Sequence, residues 1–162
     1  MLVALVALSL GAAGCGGDTP ASTTASPTTA STQAPTTAST APATTGTSTV
    51  DPSGYVTVDV QETRNALQTD DDAQIVDVRE PSEWAATGVV PGALLIPLGE
   101  LEQKAPSRLA RDRQVYVICN SGNRSRTASE ILIKLDYRQV FNVAGGIQAW
   151  LEAGFPVLPY RP

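Results

Sequence analysis

The chain has 162 residues, a formal net charge of −5, two cysteines and no histidine. Without imidazole, the Ser/His/Asp and Cys/His nucleophile arrangements and His-rich metal sites are excluded. The charge is mild and scattered, with no basic stripe, which excludes electrostatic capture of nucleic acid.

Leu2 to Ala13 is apolar but too short for the roughly 20 residues of a bilayer span, and it suits the core of an export signal. Ala12-Ala13-Gly14-Cys15 follows and resembles the lipobox of bacterial lipoproteins. That resemblance implies a signal over 1–14 and an acylated Cys15, anchoring the protein on the outer face of a bacterial cytoplasmic membrane. A cleaved signal with an incidental cysteine is the alternative and gives a secreted or periplasmic protein. From Gly16 to about Ser53 nearly every residue is Ala, Ser, Thr, Pro or Gly, too little apolar surface to offset the entropy of ordering a backbone. Residues 15–54 therefore read as the lipidated cysteine and a disordered linker, averaging about 35 Å end to end as a coil. If Cys15 carries lipid, Cys119 has no intramolecular partner and is a free thiol.

Residues 55–162 are enough for one core. Short apolar runs alternate with helical spacing, which predicts an α/β domain with a five-stranded, mainly parallel sheet flanked by helices. Tyr55–Val58 is the first expected strand. Asp59 with Glu62 forms a candidate capping box for a helix through Leu67. The acidic run Asp70-Asp71-Asp72 reads as a solvated turn, and Gln74–Val78 as a strand covered on both faces. Ala93–Ile96 is the third strand, stopped by Pro97, and Gln114–Ile118 is the strongest. A helix after it places Ala128, Ile131, Leu132 and Leu135 on one apolar face, with Arg126, Ser129, Glu130 and Lys134 facing outward. Val140–Val143 is the last strand, before Gly145-Gly146 and a short helix carrying Trp150.

Cys119 thus stands at the carboxyl end of a parallel strand and before a helix, where open α/β sheets place ligands. The loop Asn120, Ser121, Gly122, Asn123 and Arg124 is small and polar, so its N–H groups can form an anion-binding nest. With the helix dipole added, such a nest can hold a thiolate near neutral pH without a histidine base. Asp77 and Arg79, at the end of a strand, read as an ion pair with a structural role. Trp84 and Trp150 read as packing residues.

Cys119-Asn120-Ser121-Gly122-Asn123-Arg124-Ser125 resembles the active-site loop of the rhodanese family. Asp77-Val78-Arg79-Glu80-Pro81-Ser82-Glu83-Trp84 is similar to that family's first signature, and Gly88-Val89-Val90-Pro91-Gly92-Ala93 with Ile96-Pro97 to its second. Asn142-Val143-Ala144-Gly145-Gly146 with Ala149-Trp150 is similar to its last. The departures are Val89, where a histidine is frequent, and Asp136, where a glycine is frequent at the turn after the helix.

The resemblance implies a rhodanese-like fold and a sulfurtransferase without cofactor or metal. Cys119 would take sulfur from thiosulfate or another sulfane donor and pass it to a thiol or to cyanide. Loop amides would stabilise the persulfide, while Arg124 attracts the anion or braces the loop. Two other readings stay open: a catalytically silent binding module of the same fold, and a cysteine-dependent phosphatase or arsenate reductase. Relatives of the latter kind place five residues between cysteine and arginine, whereas Cys119 and Arg124 have four between them.

Overall fold

The computed structural model describes residues 48–162. The expected signal over 1–14, the acylated Cys15 and the linker up to 47 lie outside the described residues.

Six strands form one sheet in the order β1-β2-β6-β5-β3-β4. They are Thr49–Val50 (β1), Val56–Val58 (β2), Gln74–Asp77 (β3), Leu94–Leu95 (β4), Gln114–Ile118 (β5) and Gln139–Val143 (β6). All neighbours are parallel except β1 and β2. The helices are Val60–Thr69 (α1), Pro81–Thr87 (α2), Leu101–Arg108 (α3), Asn123–Lys134 (α4) and Gly146–Glu152 (α5).

Successive strand residues point to opposite faces, and the core divides accordingly. Val76, Val115, Val117 and Val140 meet Leu101 and Ala105 of α3 and Ala128 and Leu132 of α4. Ile75, Tyr116, Ile118 and Val143 meet Ile147 and Trp150 of α5, with Ala66 and Leu67 of α1 packed beside them. A sheet covered on both faces requires nearly continuous apolar strands, as β5 shows: Val115 to Ile118 are all buried.

Three expectations need correction. The ordered part begins before residue 55, because Thr49 and Val50 pair antiparallel with Thr57 and Val56. The reversal is made by Asp51, whose carboxylate accepts from the Ser53 amide at 2.8 Å while its carbonyl accepts from Gly54 at 2.9 Å. The capping box of α1 is only half made. Asp59 Oδ1 accepts from the Glu62 amide at 2.7 Å, but the Glu62 carboxylate instead accepts from Ser48 Oγ at 2.8 and 3.0 Å. Finally, Ser129 is buried rather than outward, since its hydroxyl donates to the Ser125 carbonyl one turn earlier at 2.8 Å and so enters the core satisfied.

At the end of α4, Asp136 takes a left-handed conformation, φ 66°. An aspartate tolerates this region better than most side chains, which explains how the turn survives without glycine. Past α5 the chain returns to Val89, exchanging two backbone hydrogen bonds with it through Leu158 at 2.8 and 2.9 Å. Tyr160 packs on Trp84, their ring centroids 5.5 Å apart.

Candidate active site

β5 ends at Ile118, and Cys119 follows it as a free, buried thiol at 1% exposure. A reacting partner must therefore enter the ring of loop residues to meet the sulfur. Of the loop amides anticipated from sequence, that of Gly122 reaches the sulfur itself, donating to Sγ at 3.2 Å. The helix α4 starts at Asn123, so the positive end of its dipole lies at the same loop.

The loop is held from behind by α5. The Ile147 amide donates to the Cys119 carbonyl at 2.8 Å, and the Gln148 amide to the Asn120 carbonyl at 3.2 Å. Two N–H groups of the first turn, otherwise unpaired in a helix, thereby fix the orientation of the peptide units that bear the cysteine. Gly146 makes this approach possible: a Cβ there would lie 2.4 Å from the Cys119 carbonyl oxygen and 2.7 Å from two atoms of Asn120.

Beneath the sulfur runs a buried polar chain that sequence reasoning missed. Cys119 Sγ donates to Ser125 Oγ at 3.4 Å. Ser125 Oγ lies 2.6 Å from Asn142 Oδ1 and 3.0 Å from the Gly122 carbonyl, and its single proton serves one of them at a time. Asn142 Nδ2 donates to Thr57 Oγ1 at 3.2 Å across the β6–β2 pair. Asn142 was visible as a polar residue inside an otherwise apolar strand, and a buried amide without partners would be costly.

Arg124 does not stand free. Its guanidinium donates in a fork to Glu83 of α2, at 2.7 Å to Oε2 and 2.6 Å to Oε1. The hydrogen bond from Arg124 is the main cause holding the Glu83 carboxyl at about 2, down from 4.5, and the Glu80 amide adds to it. The same contact raises Arg124. Because the carboxyl is depressed in the folded protein, its stabilising contribution is full above about pH 4.5 and is lost as pH falls toward 2. The pair is about one-third exposed, so solvent screening keeps that contribution modest. Among the roles open to Arg124, this geometry is that of a brace tying the cysteine loop to α2.

Asp77 and Arg79 form a second pair, fully buried. Arg79 Nε donates to both carboxylate oxygens at 3.0 Å, and the remaining guanidinium nitrogens reach Asp77 Oδ2 at 2.6 Å, Thr87 Oγ1 at 2.7 Å and the Gly88 carbonyl at 2.8 Å. The arginine thus ties the carboxyl end of α2, the helix that carries Glu83, to the end of β3. Asp77→Ala should destabilise the domain by about 3–5 kcal/mol in urea unfolding, because it leaves a buried guanidinium without its counter-charge. A loss below about 1 kcal/mol would show the pair to be dispensable.

Trp84 and Trp150 are both buried. Trp150 Nε1 donates to the Pro156 carbonyl at 3.0 Å, whereas Trp84 Nε1 has no partner.

Comparison with known proteins places this geometry in a lineage. A family model described as a rhodanese-like domain matches residues 59–153. A sulfurtransferase of Allochromatium vinosum is 35% identical over 101 residues, covering 62% of this chain and 92% of the relative. The crystal structure of a rhodanese-related protein from Thermoplasma volcanium has 36% identity and a TM-score of 0.57, covering 64% of this chain and 98% of that one. A human single-domain sulfurtransferase structure has 32% identity and a TM-score of 0.53, covering 59% and 95%. Coverage is lower for a putative sulfur carrier protein of Bacillus subtilis, 33% identical, of which the chain spans 49%. A match across nearly the whole described region, with sulfurtransferase relatives covered almost end to end, settles the ancestry: the chain belongs to the rhodanese-like family.

Proposed function

We propose that the domain is a sulfurtransferase that carries sulfane sulfur on Cys119. The observation that supports it most directly is the position of Sγ at the floor of a loop whose Gly122 amide donates to it at 3.2 Å. A thiolate there is stabilised by that dipole and by the start of α4. It attacks the outer sulfur of thiosulfate or another sulfane donor. One S–S bond forms, the donor's S–S bond breaks, and sulfite or a thiolate leaves with the electron pair. A thiol or cyanide then takes the outer sulfur and returns the cysteine. Arg124 and Glu83 fix the loop to α2.

The test is intact mass. Incubation with a sulfane donor should add one sulfur atom to the protein, and cyanide should remove it. Should thiosulfate, polysulfide and a thiol persulfide all leave the mass unchanged, the binding-module reading replaces this one. The four-residue spacing from Cys119 to Arg124 gives a smaller ring than a tetrahedral oxyanion needs, so phosphate and arsenate chemistry is not the reading favoured here.

A further inference from the structure

Arg124 is the single cation of the loop from Cys119 to Ser125, and its guanidinium fork is occupied by the Glu83 carboxylate. Arg79, the nearest cation on the segment after β3, is neutralised in the same way by Asp77. Glu83 stays ionised down to about pH 2, so its pairing persists across the physiological range. The segments leaving the carboxyl ends of β2 and β3 add Asp59, Glu62 and Glu80, while Ala144–Gln148 after β6 adds no charged residue. Among the described residues, a donor entering the loop therefore meets dipoles, namely the Gly122 amide and the start of α4, while the loop's own cation is already paired with Glu83. These dipoles already serve the Cys119 thiolate, so each charge on the donor is poorly compensated and a dianion gives up more hydration than a monoanion.

Resting on the sulfur-transfer reading above, we propose that Glu83 is a specificity-determining residue. By neutralising Arg124 it adapts the site to sulfane donors that carry one negative charge, thiol persulfides being the natural class, in preference to the thiosulfate dianion. The step needs no oxidant or reductant. Cys119 Sγ bonds to the donor's outer sulfur, the donor's S–S bond breaks, and the inner sulfur leaves with the electron pair, as a thiolate from a persulfide or a sulfinate from a thiosulfonate.

The experiment compares the rate of Cys119 persulfide formation from thiosulfate and from methanethiosulfonate, a stable singly charged probe, in the full chain and its Glu83→Gln variant. In the wild type the thiosulfate rate should not fall between low and high salt, because no net cation steers the dianion. Glu83→Gln should raise the thiosulfate rate about ten-fold at low salt, leave methanethiosulfonate much less affected, and lose the gain at high salt. Two results overturn the proposal: equal changes for both donors in the variant, or a wild-type thiosulfate rate that falls steeply with salt. The second needs no variant, so a folding defect in Glu83→Gln does not shield the idea. Absence of persulfide from either donor in the wild type is a different failure, that of the sulfur-transfer reading itself.

Discussion

Cys119→Ser should abolish sulfur uptake while leaving the fold in place. Residues 48–162 contain one cysteine, so among the described residues no second thiol can substitute. A serine hydroxyl is close in size to the thiol and can keep the hydrogen bonds to the Gly122 amide and Ser125, but it does not ionise near neutral pH and forms no persulfide. Stability by urea unfolding should stay within about 1 kcal/mol of wild type. The mass gained from a sulfane donor should vanish entirely. Uptake at more than a trace by a folded serine variant would mean that sulfur is held elsewhere.

A large loss of stability is expected from Gly146→Ala. The backbone there has φ +58°, a conformation that side chains adopt only with strain. The added methyl would also press on the Cys119 carbonyl oxygen at 2.4 Å and on the Asn120 carbonyl carbon and oxygen at 2.7 Å. All three are backbone atoms of the cysteine loop, and none can swing aside like the end of a flexible side chain. Relief requires α5 to back away, breaking the hydrogen bonds from Ile147 and Gln148. The expected cost is about 3 kcal/mol or more, a large share of a small domain's stability. Sulfur uptake should fall with it. Gly154→Ala is the control, with φ +70° but nothing within 4 Å, and should cost only about 1 kcal/mol. Equal losses at the two positions would mean that strain alone, and not contact with the loop, sets the effect.

How much of this was legible in the sequence differs from residue to residue for physical reasons. Five strands were readable because a doubly covered sheet demands apolar, β-branched runs, and Gln114–Ile118 ends where the pattern said it would. The place of Cys119 followed from that ending. β1 escaped because two residues are too few for any periodicity, although Asp51-Pro52-Ser53-Gly54 carried the composition of the turn that follows it. Ser129 escaped because a serine that bonds its own helix looks polar in the sequence and apolar to the core. The partners of the active loop were the hardest. Glu83 lies 41 positions from Arg124, and Thr57 lies 85 from Asn142. Convergence across such distances is a product of strand order, which no local pattern encodes. Ser125 stood inside the quoted motif, yet its role depends on Asn142 arriving from the neighbouring strand.

The grip of α5 on the cysteine loop also orders events in time. β5 and Cys119 precede in the chain the residues that orient their carbonyl groups, so a nascent polypeptide carries the thiol before it carries the helix that frames it. The peptide units behind the sulfur gain their partners from α5, and the Asn142 amide reaches its place beneath the sulfur with β6. A chain that stops short of α5 should therefore leave the Cys119 and Asn120 carbonyl groups without these partners.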